Sequence, residues 1–299
     1  MTYTFDGRLT AYFPSQVLVD VTEVCNLACG HCAHDEFSRS GRYEARMLDV
    51  ALNDKLVTEV AASSVRPQFI RYTGSGETTL HPSIYEMVQR AVRHSGVPVT
   101  LTTNGVKLDV ARLLDTGLHA VDVSIDALYP ETYQRVRGRD RLGAVRKNVL
   151  ALLQQKRARV FVSFIEQDGN REETEDFRAY WTEQGAGVLI RPLHSCAGEM
   201  PVQLGSGARR PCVYPWERIV LTADGHLSFC PASWSHRSHL ADYREVTIAQ
   251  TWTSPAYEAL RNAHLTNDFA QHSFCGACPD WAVTSWPGGE VKGYAERVP

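Results

Sequence analysis

The chain lacks a long apolar run. Nothing in its 299 residues approaches the roughly 20 consecutive apolar residues that a membrane span needs. It also lacks a charge of one sign: Lys and Arg number 31 against 34 Asp and Glu, a net charge of -3. That balance gives no basic face for a nucleic acid or another polyanion. The start, "MTYTFDGRLTAYFPS", has no basic head followed by an apolar stretch, so no signal peptide is expected. There is no long-period repeat and no low-complexity tract. What remains is the composition of a soluble globular protein, 43% hydrophobic and 22% charged, with the cytoplasm as its expected compartment. The length suits one large domain, or a large domain with a small one.

Cysteine is not scarce. The eight are Cys25, Cys29, Cys32, Cys196, Cys212, Cys230, Cys275 and Cys278. In a secreted mini-protein they would read as disulfides. In the cytoplasm thiols stay reduced, and clustered cysteines point to metal or catalysis.

Apolar runs alternate with amphipathic ones over the first two thirds. Strands are predicted at 16–21, 68–73, 97–105, 120–126, 158–165 and 187–193. Helices are predicted at 47–64, 82–96, 108–116, 130–137, 141–156 and 171–184, the second with Pro82 in its first turn and Gly96 at its end. Strand–helix alternation implies crossover units and a parallel sheet, an α/β class. Six units are too few for a closed eight-fold barrel. A partial (β/α)6 barrel and an open doubly wound sheet both fit. Polar or cysteine-rich sequence follows each strand: "CNLACGHC", "GSGET", "TTNG", "SIDA", "EQDGN" and "HSCAG". In parallel α/β folds the site forms at the C-terminal strand ends, and all six together are best explained by one active-site mouth.

After about residue 200 the rhythm stops. "GEMPVQLGSGARRP" reads as a linker. The remainder has strand-like pieces in "RIVLTADGHLSFC", one helix in "SPAYEALRNAHL" and four cysteines. The expected division is a barrel over 1–200 and a smaller domain over 201–299.

Cys25, Cys29 and Cys32 have the spacing C-x3-C-x2-C. A structural zinc needs four ligands, and His31 or His34 is placed to supply the last. A four-iron cluster normally takes four cysteines, and held by three it keeps one iron open to an outside ligand.

This spacing, behind a first strand and ahead of a barrel-like series, resembles the radical S-adenosylmethionine (SAM) superfamily. "TGSGETTLHP" resembles that family's glycine-glycine-glutamate motif, with Ser75 where the first glycine is usual and Gly76 and Glu77 intact. "TTNG" and "SIDA" look like its third and fourth strand ends, and Arg137-Gly138 its Arg-Gly pair. His31 stands where an aromatic residue is common. The resemblance covers roughly 16–196. It implies that Cys25, Cys29 and Cys32 hold a 4Fe-4S cluster whose open iron is chelated by SAM. It further implies a SAM-side set of His31, Gly76, Glu77, Thr103, Asn104, Ser124, Asp126, Arg137 and Leu193. Glu77 would meet the SAM amino group and Arg137 its carboxylate. The implied chemistry is reductive cleavage of SAM to a 5'-deoxyadenosyl radical, with the electron from an external donor such as flavodoxin or ferredoxin.

Cys212, Gly225 and Cys230 are spaced C-x12-G-x4-C, and Cys275 and Cys278 add a C-x2-C. A four-thiolate zinc site is one reading. Beside a radical SAM loop the arrangement resembles the family's twitch domain, the short form of the SPASM extension. That implies a second, auxiliary 4Fe-4S cluster on Cys212, Cys230, Cys275 and Cys278, with no iron left open.

Cys196 is then unassigned. A buried structural thiol is the plain reading. Its place beyond the sixth strand instead puts it near the active-site mouth, where a thiol can return a hydrogen atom to a substrate radical. The whole pattern resembles the members that modify aminoglycosides and aminocyclitols, some by epimerisation and some by dehydrogenation. The expected function is therefore epimerisation of an aminoglycoside or related sugar, with Cys196 as the hydrogen donor. The rivals are oxidation of an aminocyclitol or sugar alcohol, and maturation of a peptide. Peptide maturases often carry an extra N-terminal domain, and only about 15 residues precede the first strand. Glu166, Asp168, Glu199, His194 and His226 are further polar candidates for holding an aminosugar.

Overall fold

Runs of Val, Ile, Leu and Phe, buried on both faces, form the strands of a parallel sheet. In a computed structural model, which describes residues 3–202, 204, 207–234 and 236–287, six such strands are β1 (Gln16–Asp20), β2 (Phe69–Thr73), β3 (Val99–Thr103), β4 (Ala120–Ser124), β5 (Arg159–Glu166) and β6 (Gly187–Pro192). Each pairs in parallel with its neighbour in chain order. The helices between them are α1 (His34–Arg39), α2 (Val50–Ala62), α3 (Ile84–His94), α4 (Val110–Asp115), α5 (Pro130–Arg137), α6 (Leu142–Gln155) and α7 (Thr174–Glu183). This is the partial barrel of an α/β protein.

The strand period of two divides the residues of β1. Val17 and Val19 join the large apolar core under the helices, while Leu18 and Asp20 face the barrel interior. Helix ends follow local capping chemistry. Asp49 accepts from the Ala51 amide, so α2 starts at Val50 rather than at residue 47. The expected helix from 171 begins with a tight 3-10 turn, Arg171–Glu173, before α7. Helix α1 was not anticipated from the sequence, because it is only six residues long.

The C-terminal portion continues the barrel sheet. It contributes α8 (Tyr214–Glu217), β7 (Arg218–Leu221), β8 (His226–Ser228), β9 (His239–Asp242), α9 (Ile248–Trp252), α10 (Pro255–Thr266) and α11 (Ser273–Ala277). Strand β7 lies parallel to β1, with Val17 opposite Ile219, and β8 and β9 follow antiparallel. The resulting nine-stranded order is β6-β5-β4-β3-β2-β1-β7-β8-β9. A single sheet therefore runs through residue 200. Residues 203, 205 and 206 of the expected linker lie outside the described residues.

Candidate active site

The loop after β1 carries Cys25, Cys29 and Cys32 and is held by backbone contacts from two other loops. The amides of Gly76 and Glu77 donate to the carbonyls of Thr22 and Val24, each at 2.8 Å. A side chain at Gly76 would put its Cβ 2.3 Å from the Val24 oxygen, so only glycine permits this approach. Gly138, at φ +78°, does the same from the far side, with a Cβ falling 2.3 Å from the Ala28 oxygen.

Two polar networks flank the loop. In the first, the buried Glu77 carboxylate accepts from the Thr79 amide and hydroxyl, the Thr103 hydroxyl (2.5 Å) and the Asn104 amide (2.7 Å). The Asn104 side chain in turn donates to Asn26, beside Cys25, at 2.7 Å. In the second, Arg137 donates to the Cys29 sulfur at 3.6 Å and pairs with Asp126 at 2.5 Å. Asp126 lies 3.3 Å from Nε2 of His31, whose Nδ1 meets Gln167 at 3.0 Å. Burial pushes the His31 pKa down to about 4, against the pull of Asp126, so the ring is neutral. Six of the nine expected SAM-side residues thus fall into these two networks, and Gly76 holds the loop between them. Ser124 closes β4 and Leu193 follows β6, at the same end of the sheet.

The donor set fits a cluster with one open place. His34 points its Nε2 at the Glu23 carbonyl, 2.7 Å away, and Nδ1 of His31 meets Gln167 at 3.0 Å. Among the described residues, neither cysteine set has all its sulfurs within 4.8 Å of one another. Sulfurs around a single zinc, at about 2.3 Å from the metal, sit about 3.8 Å apart. The wider spread suits a cube of metal and sulfide.

Cys212, Cys230, Cys275 and Cys278 line one small cavity, walled also by Tyr214, Phe229 and Trp281. Burial raises every one of these thiols, Cys212 to about 12 and Cys278 to about 11, and neighbouring sulfurs add to the rise at Cys212, Cys230 and Cys275. Cys25 is likewise pushed up to about 11. Empty sites of this kind hold protons, which a bound metal must displace.

A cavity of about 390 Å³ joins the two regions. It runs along the barrel interior from Thr73 and Ser75, beside the cysteine loop, to Cys230 and Asp280. Its wall is charged. Arg191 reaches Asp122 at 2.6 Å, Arg71 lies 3.8 Å from the same carboxylate, and Glu217 pairs with Arg8 and Arg218. Asp20 ends β1 within it. Ser75 donates to Oδ2 of Asp20 at 2.6 Å, while Oδ1 is buried with no hydrogen-bond partner. Burial, assisted by Glu23, raises the Asp20 pKa to about 7.

Asp20, Arg71, Asp122 and Arg191 were missed in the sequence. The available signal was a charge at an interior-facing position of an otherwise apolar strand, as in "QVLVD", "FIRYT" and "AVDVS". Of the five additional polar candidates only His194 lines this cavity. Glu166 and Asp168 pair instead with Arg171.

Cys196 is buried and packs against Ala33, Phe37 and Trp234, with Cys32 and Met200 at the edge of the group. It does not line the 390 Å³ cavity, although Trp234 does. Its backbone is left-handed at φ +52°, as is that of Ala197 at +60°. Asp280 holds this strained pair by accepting from the Ser195 amide (2.6 Å) and the Ala197 amide (2.7 Å). Asp280 is two residues beyond Cys278, so the C-terminal cysteine loop fixes the segment that carries Cys196.

The pattern of the radical SAM superfamily matches residues 19–177, and SPASM, an iron-sulfur cluster-binding domain, matches 212–279. Among curated relatives, GTP 3',8-cyclase of Chlorobaculum tepidum is 39% identical over 150 residues, 49% of this chain and 42% of that protein. Mycofactocin maturase MftC of Mycobacterium ulcerans is 28% identical over 223 residues, 71% of this chain and 58% of its own. The chain thus spans about half the length of the curated relatives it matches. Among solved structures, BtrN in complex with AdoMet and 2-DOIA shares the fold with a TM-score of 0.63 at 17% identity, covering 91% of this chain and 95% of that one. Streptococcus suis SuiB bound to precursor peptide SuiA gives a TM-score of 0.69 at 12% identity, over 91% and 71%. The chain belongs to the radical SAM superfamily and carries a SPASM/twitch domain, and the two domains imply SAM and 4Fe-4S clusters as cofactors.

Proposed function

We propose that this radical SAM enzyme oxidises a carbinol of a small polar substrate bearing hydroxyl and ammonium groups, an aminoglycoside or aminocyclitol. The observation that carries the reading is a cavity with Asp20 in its wall and Cys230 in its far wall. When bound, SAM and the N-terminal cluster supply a 5'-deoxyadenosyl radical that removes one hydrogen atom, and the auxiliary cluster accepts the remaining electron. The chain's residues do the rest. Cys25, Cys29 and Cys32 hold the first cluster, and Arg137 sets the charge beside Cys29. Cys212, Cys230, Cys275 and Cys278 hold the second. Asp20 takes the hydroxyl proton, and Ser75 orients it. The cavity volume, about 390 Å³, lies in the small-ligand range of about 300–1,000 Å³. Its carboxylates and guanidinium groups suit ammonium and hydroxyl groups.

Epimerisation is the second reading, and Cys196 favours it. Its thiol packs on Trp234, a wall residue of the cavity, and an S–H there would return hydrogen to the substrate carbon. The test is anaerobic incubation of reconstituted enzyme with aminoglycosides, aminocyclitols and short peptides, a one-electron donor such as flavodoxin or ferredoxin, and SAM. Oxidation gives a product lighter by two hydrogens. Inversion gives an unchanged mass in water and one added deuterium in deuterated water, and that result would replace the oxidation reading. Reaction of a peptide alone would remove both.

A further inference from the structure

A third set of ligating side chains lies at the edge of the cavity, apart from both cysteine centres. Asp224 sits in the turn between β7 and β8. Its Oδ2 is 3.3 Å from Nδ1 of His226 and 3.7 Å from Nδ1 of His236, and its Oδ1 is 3.8 Å from Nε2 of His239. These separations are longer than hydrogen bonds, which fall at about 2.7–3.2 Å. For His236 and His239 they lie a little above the spacing of about 3.4 Å that nitrogen and oxygen donors adopt around one tetrahedral ion at about 2.1 Å.

The surroundings point the same way. Nδ1 of His226 and Nε2 of His239 are buried without a hydrogen-bond partner. The His239 ring lies between two others, with His226 stacked on it at 4.6 Å and His236 at 4.9 Å. Second contacts orient two of the groups. Thr222 donates to Oδ1 of Asp224 at 2.5 Å. Glu23 Oε1 stands 3.5 Å from Nε2 of His236, the nitrogen remote from Asp224, where a carboxylate typically steadies a metal-bound imidazole. Arg46 does not neutralise Asp224 directly, because its guanidinium is spent on Glu23 and Glu44. His236 also keeps a left-handed backbone, φ +58°, a strain that a fixed ligand position accounts for.

We propose that Asp224, His236 and His239 bind one divalent ion of the zinc class, with a fourth position open. Among the described residues theirs is the group of three or more Cys, His, Asp or Glu whose ligand atoms all lie within 4.8 Å of one another. Three protein ligands and a free place are the pattern of a reactive rather than a structural zinc site. Asp224 and His236 both line the 390 Å³ cavity, so the open position faces it. A substrate hydroxyl or amine is the class of ligand it would take. The inference stands whichever reaction the enzyme performs.

The test uses anaerobically reconstituted enzyme with both clusters in place, equilibrated with zinc chloride and desalted. Zinc and iron per chain are measured by mass spectrometry, and the zinc surroundings by X-ray absorption. One zinc per chain is expected beside the full complement of iron, with a nitrogen and oxygen shell near about 2.0–2.1 Å. Asp224→Ala and His239→Ala should lose the zinc and keep the iron. Thr222→Val, which removes only an orienting contact, should weaken zinc binding by about tenfold. No retained zinc, zinc retained equally in the alanine variants, or a sulfur shell near about 2.3 Å would each overturn the proposal. The absorption spectrum of the unsubstituted protein decides the matter if a variant fails to fold.

Discussion

The two cysteine centres use one donor type in different numbers. Around Cys25, Cys29 and Cys32 lie a guanidinium, a buried carboxylate and a neutral imidazole, those of Arg137, Asp126 and His31. Around Cys212, Cys230, Cys275 and Cys278 lie the rings of Tyr214, Phe229 and Trp281 together with Arg209, His264 and Asp280. The first loop supplies three thiolates. The second site is complete with four. A charged, three-cornered centre is fitted to receive an outside ligand. A centre with four thiols leaves no place for an outside ligand. The 390 Å³ cavity touches the loops of both, where the proposed oxidation would set its substrate between them.

That contrast can be broken most sharply at the cysteines. Cys29→Ala should lower 5'-deoxyadenosine formation by at least about 1,000-fold, since the cofactor performs the cleavage. A chromatographic assay of 5'-deoxyadenosine under strong reductant measures it. Cys275→Ala with Cys278→Ala should leave that cleavage largely intact and abolish substrate turnover, with the iron content about halved.

Asp20→Asn sharpens the comparison inside the cavity. Turnover should fall by about 100-fold, the usual weight of a general base, while SAM cleavage persists. The base is the ionised carboxylate, and its pKa is raised to about 7. Turnover by the parent should therefore rise with pH through about 7 and then level, and the variant should lose that rise. Stability carries the opposite sign. A raised carboxylate pKa favours the folded state below its unfolded value, about 4, and that contribution is lost as pH climbs through about 7. Asp20→Asn should melt higher than the parent at pH 8, as calorimetry can show. The smallest effect is expected from Cys196→Ala, which leaves oxidation in place and costs about 1 kcal/mol of stability. Loss of the product with SAM cleavage unchanged would move the account to epimerisation.

The six strand–helix units were legible because each strand is a short apolar run and each helix carries its own stop signals. Gly138, for example, caps α5 with a left-handed backbone. The cysteine sets were legible because ligand spacing is a local property. What joins distant segments was not. Pairing of β7 with β1 links residues about 200 apart, and no local pattern announces it. The clasp of Asp280 on Ser195 and Ala197 spans 85 and 83 residues. Asp20 was hidden for a different reason. A single aspartate at the end of "QVLVD" resembles a turn residue, until the barrel turns its side chain inward against Ser75. The departure of Ser75 from the usual glycine and the presence of Asp20 are one feature, visible only when the two loops meet.

The most direct test is Mössbauer spectroscopy of enzyme reconstituted with 57Fe, before and after addition of SAM. The account expects SAM to perturb one iron of one cluster, to do so still when Cys212, Cys230, Cys275 and Cys278 are replaced, and not when Cys25, Cys29 and Cys32 are. A SAM-dependent change that survives loss of the N-terminal cysteines, or a cluster there with no distinct iron, would contradict it.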